Sequence, residues 1–242
     1  METVTNSITS RHPLQRMQSP GRGISALLHT LGLISFSLSY KYLFDFPSMI
    51  NDSYGWHFQY LTIIGLTIAA LTFAFGLLAD ITLSSSLFRI KNTLAMCSAP
   101  LEVLISVLYW GISAVDKSLL VPPEIELSPW ADVGFHAMPS ILLAIDLLFL
   151  SPPWSIKAAP AMALSFTLAV SYWAWVEQCF RNNGFYPYPI FGQLDTTQRA
   201  ALFTGAAALM TGSTTVLQKA YQSFNGIEQR KGRATPANMK GQ

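Results

Sequence analysis

Six apolar runs, each long enough to cross a bilayer as a helix, constrain this chain more than any other feature of its 242 residues. A hydrocarbon core needs roughly 20 such residues in helical form. The runs are about Ile24 to Phe44, Phe58 to Leu83, Leu94 to Val115, Trp130 to Leu150, Ile156 to Phe180 and Ala200 to Leu217; Gly, Thr and Ser dilute the last. Charged residues make up only 12% of the chain, where soluble domains carry about 25%. The expected fold is therefore all-α: a polytopic bundle of six transmembrane helices joined by short connections. Residues 1–22 read as a polar N-terminal tail, 23–220 as the membrane domain and 221–242 as a polar, basic and disordered C-terminal tail. The apolar run after Arg22 is too long for a cleavable signal, so the first span is expected to target the chain.

Lysines and arginines set the expected orientation. With the N-terminus cytoplasmic, that side holds Arg11, Arg16, Arg22, Arg89, Lys91, Lys157, Lys219, Arg230, Lys231, Arg233 and Lys240. The opposite side holds Lys41, Lys117, Arg181 and Arg199. Both termini are then cytoplasmic, and the acidic loop with Asp116, Glu124, Glu126 and Asp132 faces away. Spans two and four start on that far side. Thr62 lies about 6 Å into the second and His136 about 6–9 Å into the fourth, at 1.5 Å per residue, so the two share a depth.

Polar side chains inside a membrane face the bundle interior and mark function or pairing. Thr62, Gly65, Ala69, Thr72 and Gly76 recur at spacings of three and four, which aims a face of small residues, and Thr62 with it, at neighbouring helices. His136, Pro139, Leu143 and Asp146 form a stripe with Ser140 beside it. Gly205, Ala208, Gly212 and Thr215 repeat the rhythm in span six and predict another close-packing face. An imidazole can take the proton of a threonine hydroxyl that is otherwise a poor nucleophile. The alternative is a hydrogen-bonded packing histidine and a threonine bonded to its own helix. Glu177, near the same end of span five, is either a third member orienting His136 or an interfacial carboxylate in water. Asp80, Glu102 and Asp146 are too far to serve this centre: Thr62 to Asp80 is about 27 Å of helix. They form a second polar cluster or pair with Arg89 and Lys91. His29 reads as structural or headgroup-facing, and His57 beside Trp56 as interfacial. The run Phe185-Tyr186-Pro187-Tyr188-Pro189 either caps the cavity around Thr62 and His136 or is a plain interfacial loop.

No nucleotide-binding glycine set, nucleophile elbow or zinc-binding pair of histidines is present, and Cys97 and Cys179 have no metal spacing. No cofactor, metal or nucleic-acid partner is expected.

Several landmarks resemble the androgen-induced-gene-one family of multi-pass membrane hydrolases. They are Tyr60-Leu61-Thr62; Pro100; Tyr109-Trp110 followed by Asp116-Lys117 and Pro122; Pro129-Trp130 before Gly134-Phe135-His136; and Gly184-Phe185-Tyr186-Pro187-Tyr188-Pro189. The resemblance covers roughly residues 22–220. It implies hydrolysis of fatty acid esters of hydroxy fatty acids, with Thr62 as nucleophile and His136 as base; an acyl-threonine intermediate is expected, and Glu177, Tyr186 and Tyr188 are the supporting candidates from the reading of the spans. It also implies a lipid substrate taken from the bilayer and residence in the endoplasmic reticulum. The chain departs from the familiar vertebrate pattern at Val133 and Ala137, where a histidine and a threonine flank the catalytic histidine. A transporter with a polar path through His136, Asp146, Asp80 and Glu102, and a structural scaffold, are the competing expectations.

Overall fold

A computed structural model of the protein describes residues 10–16, 19–122, 125, 127–152 and 157–225. Eight α-helices follow in chain order: α1 (Arg22–Asp45), α2 (Leu61–Thr82), α3 (Ser85–Asp116), α4 (Pro129–His136), α5 (Met138–Ile145), α6 (Ala158–Asn183), α7 (Pro189–Gln193) and α8 (Thr196–Asn225), with no strand among the described residues. Helices α1, α2, α3, α6 and α8 are long and apolar enough to cross a membrane, and the α4–α5 pair makes a sixth span when taken as one. The all-helical membrane bundle expected from the apolar runs is what forms.

Two of the spans differ from their sequence expectation. The fourth is not straight: α4 and α5 meet at 41°. Pro139 has no N–H to offer the carbonyl four residues back, its ring crowds that carbonyl, and it is tolerated only in the first turn of a new helix. The chain therefore breaks at Ala137, whose φ of −127° is outside the helical range. At the break, the His136 carbonyl accepts from the Ser106 hydroxyl and, at 3.3 Å, from Trp110 Nε1. Helix α3 thus supplies the donors that a broken helix needs in a membrane. In α8, the small-residue stripe points the wrong way for packing. Gly205, Ala208, Gly212 and Thr215 are exposed, while Phe203, Ala207, Met210, Thr214 and Leu217 are buried.

The small face of α2 is buried as expected, from Thr62 through Gly65, Ala69, Thr72 and Gly76 to Asp80. It packs on α1 and α3. A Cβ on Gly76 would lie 2.5 Å from His29 Nε2, so only glycine lets α1 come this close. Ser84 caps α3 by accepting from Leu87 N–H, and the turn joining α2 to α3 is so short that the two helices run antiparallel.

Charge closes the bundle at the end remote from Thr62. His29 bridges two carboxylates, with Nδ1 2.7 Å from Asp80 and Nε2 3.1 Å from Asp146. Lys91 Nζ lies 2.5 Å from Asp146 and donates to Ser151 at 2.9 Å. Ser25 donates to Asp80 at 2.8 Å. Lys91 is thus a buried residue of α3, 1% exposed, and not a loop cation. His29, 2% exposed, is structural and does not face headgroups. Pairing keeps these groups tolerable away from water. The N-terminal segment lies over this end: His12 stacks on Phe88 at 4.2 Å, and Arg16 donates to the Leu148 carbonyl and to Asn225. Helix α8 continues past the expected boundary at Tyr221, and Asn225 also donates to the Leu148 carbonyl at 3.0 Å. The rest of the expected C-terminal tail, with Glu124 and Glu126 of the acidic loop, lies outside the described residues.

Candidate active site

Thr62 sits in the first turn of α2, whose start is fixed by α6. Tyr172 donates to the Gln59 carbonyl at 2.9 Å and accepts from Leu61 N–H at 3.1 Å. It so satisfies one of the amides that a helix start leaves unpaired. Thr67 and Thr72, further down α2, donate to the carbonyls of Ile63 and Ile68 at 2.7 Å each. Thr62 makes no such bond among the described residues. Its Oγ1 lies 3.3 Å from the Tyr188 hydroxyl, and the residue is 6% exposed. Tyr188 precedes α7 in the Tyr-Pro segment, so that segment does cover the Thr62 end.

His136 closes α4, one turn after Asp132. Its Nδ1 is 3.0 Å from Asp132 Oδ1 and 3.1 Å from the Asp132 carbonyl. Both partners are acceptors, which places the ring proton on Nδ1 and leaves Nε2 with the free lone pair. Tyr109 of α3 stacks on the imidazole at 3.4 Å with 4° between planes. The other oxygen of Asp132 accepts from Lys117 Nζ at 2.7 Å. The carboxylate on His136 is therefore Asp132 and not Glu177. Glu177 accepts from Trp173 at 3.1 Å and from Tyr186, and pairs with Arg199 at 3.1 Å. Tyr186 belongs to that group as well.

Thr62 and His136 line one cavity of about 200 Å³, together with Tyr60, His57, Tyr188 and Tyr109. No hydrogen bond joins the two among the described residues. Burial pushes His57, outside the spans, down to about 4, so it is neutral at physiological pH; its Nε2 meets Asn51 Oδ1 at 3.2 Å. A second cavity of about 100 Å³ adjoins the first. Thr62, Tyr109, Leu120 and Tyr188 line both. The walls of the second are almost wholly hydrocarbon and come mostly from α3, α6 and α8, with Leu61 of α2 and Ile190 and Phe191 of α7.

Glu102 of α3, 1% exposed, packs beside Gly65, one turn from Thr62, and not with Asp80 and Asp146 as expected: it belongs to the Thr62 end of the bundle. A Cβ on Gly65 would be 2.6 Å from its Oε1, so the glycine makes room for the carboxyl. Among the described residues no hydrogen bond links Glu102 to the His29 cluster; Phe36 and Phe73, both within 1% of full burial, pack edge to face beside His29, and the Thr72 and Ser98 hydroxyls meet at 3.2 Å. No group of three or more metal-ligating side chains is found among the described residues.

A family model described as FAR-17a/AIG1-like protein matches residues 24–222. The chain belongs to this family. A UPF0641 membrane protein of Schizosaccharomyces pombe is 36% identical over 203 residues, covering 83% of this chain and 91% of the relative. The human Androgen-induced gene 1 protein is 25% identical over 206 residues, covering 77% and 81%. No solved structure matches. As a FAR-17a/AIG1-like membrane protein, the chain carries Thr62, Asp132, His136 and Tyr188 inside the matched region, and the segment around His12 outside it. The sequence reading missed Asp132 as the partner of His136, although an acid four residues before a histidine on one helix shares its face. It also missed Tyr109, for which only the aromatic pair Tyr109-Trp110 gave a signal.

Proposed function

We propose that this FAR-17a/AIG1-like protein is a membrane-embedded threonine hydrolase that cleaves fatty acid esters of hydroxy fatty acids, resident in the endoplasmic reticulum. One observation carries the reading: Thr62 and a histidine already oriented by a buried carboxylate line the same cavity. Such an arrangement is the nucleophile, base and orienting group of acyl transfer.

Nε2 of His136 takes the Thr62 proton, through one water or on closure of the cavity over the ester, since no bond joins the two directly. Oγ1 attacks the ester carbonyl. Tyr188, 3.3 Å from Oγ1, is the hydroxyl donor nearest the developing oxyanion. His136 returns its proton to the leaving alkoxide, and an acyl-threonine remains. Water then gives a proton to Nε2 and attacks the acyl carbon, and the Thr62 oxygen leaves with the proton. Asp132 holds the ring and balances the imidazolium in both halves.

The test is covalent labelling of purified protein by a fluorophosphonate probe, with the site located by mass spectrometry. Label on Thr62 that vanishes in Thr62→Ala and in His136→Ala is expected. Labelling that persists in Thr62→Ala overturns the assignment.

A further inference from the structure

We propose that the two cavities hold opposite halves of the ester: the acyl chain lies in the hydrocarbon limb between α3, α6 and α8, and the departing alcohol lies on the His136 side. The proposal rests on the hydrolase reading and assigns a direction to the substrate within it.

The direction follows from where the proton must go. The histidine that strips Thr62 must also protonate the leaving oxygen, because the alkoxide is the poorer leaving group until it does. The leaving oxygen must therefore stand on the histidine's side of the carbonyl. His136 lines the first cavity and not the second. That first cavity also carries the polar lining, including Ser48, His57 and Tyr60, which suits the polar end of a hydroxy acid. The bond that breaks runs from the carbonyl carbon towards His136; the bond that forms joins that carbon to Thr62. What stays attached to Thr62 points into the other limb, whose walls offer hydrocarbon and almost nothing to hydrogen-bond.

The limb has the shape an alkyl chain requires. Its α3 wall runs from Ile112 to Leu101, about 16 Å at 1.5 Å per residue. Met210, 2% exposed, and Leu101, 2% exposed, lie at the deep end of their helices' contributions. Helix α6 packs on α8 and on the turn Trp56–Gln59 but not extensively on α3, which leaves the gap the limb occupies. Ala206 on α8 and Ala169 on α6 are two of the small residues along it, on facing walls where a larger side chain would shorten the reach of a chain.

The experiment compares labelling rates of Thr62 by a long-chain and a short-chain alkyl fluorophosphonate, and turnover of palmitoyl against butyryl esters of one alcohol. Ala206→Phe fills the limb part-way. Excluding two or three methylenes lowers the long-to-short ratio roughly 15- to 60-fold, at the transfer free energy per methylene. Ala169→Phe, from the opposite wall, gives the same direction and serves if the first variant does not fold. Met210→Ala raises the ratio by deepening the limb. Thr62 that is never labelled in the unaltered protein refutes the hydrolase reading itself. Thr62 labelled normally, with a chain-length ratio unmoved by both phenylalanines, refutes the limb assignment alone. Phenylalanines that change the preference for the alcohol and leave the acyl ratio unmoved show the reverse orientation and refute it too.

Discussion

Replacing Asp132 by asparagine isolates what orientation of His136 contributes. The carboxylate, 8% exposed at its side chain, accepts from His136 Nδ1 at 3.0 Å and from Lys117 at 2.7 Å. An asparagine can turn only one oxygen towards these two donors. If the oxygen faces the ring, the amide hydrogens face the Lys117 ammonium; if it faces Lys117, the ring is pushed into the wrong tautomer. Either way the negative charge that balances the imidazolium is gone. A hydrogen bond to a charged group contributes about 1.5–3 kcal/mol, so kcat falls roughly 10- to 150-fold. Asp132 does not line the cavity of Thr62 and His136, so KM is expected to stay within about twofold, the signature of an interaction made in the transition state. Lys117 is 48% exposed, and its pairing is screened by water, so Lys117→Met changes kcat by less than about fivefold. The assay is ester hydrolysis by protein in detergent, with thermal unfolding of each variant measured alongside. An Asp132→Asn protein that keeps kcat within twofold, while Thr62→Ala is dead, refutes the reasoning.

Three other outcomes are expected. Tyr188→Phe removes the donor beside Thr62 and lowers kcat roughly 100- to 1,000-fold if that hydroxyl serves the oxyanion, measured in the same assay against butyryl and palmitoyl esters. Gly76→Ala drives a methyl to 2.5 Å from His29 Nε2, and overpacking of this kind costs about 1–3 kcal/mol, read as a lower unfolding midpoint in detergent with the spectrum of a folded helical protein at low temperature. Because burial depresses His57 from 6.5 to about 4, the folded state binds fewer protons than the unfolded one between those values. Its contribution to stability is full above about 6.5 and is lost as pH falls to about 4, where it levels off. Unfolding midpoints across that window fall less steeply in His57→Gln.

The six spans and the inward face of α2 were legible because apolar length and three-four spacing are local properties. Rise per residue is local too, and it pointed to Thr62 and His136 together; both line one cavity. Azimuth was not legible. Glu177 has the right depth but stands on α6 beside Arg199, and no one-dimensional pattern tells which neighbour a carboxylate meets across a bundle. The bend after His136 was readable from Pro139 and passed over, because a continuous apolar run looks like one rod. Small residues on α8 misled because a stripe of glycine and alanine packs closely only where a partner helix exists, and that face has none among the described residues. Lys91 was read as a loop cation; its burial depends on Asp146, contributed by another span.

Helix α6 stands apart in how it is held. Helices α1, α2, α3 and the α4–α5 span are bound to one another through the His29 cluster. None of that cluster's charged residues comes from α6, which is tethered through α8 and through Tyr172 at the start of α2. On the proposed function, a lipid that enters by displacing this rod would loosen the Tyr172 anchor at the Thr62 turn, while the His29 cluster still holds α1, α3 and the span bearing Asp132 and His136. The proposed base is then carried by the part of the bundle that stays, and the proposed nucleophile's anchor by the part that moves.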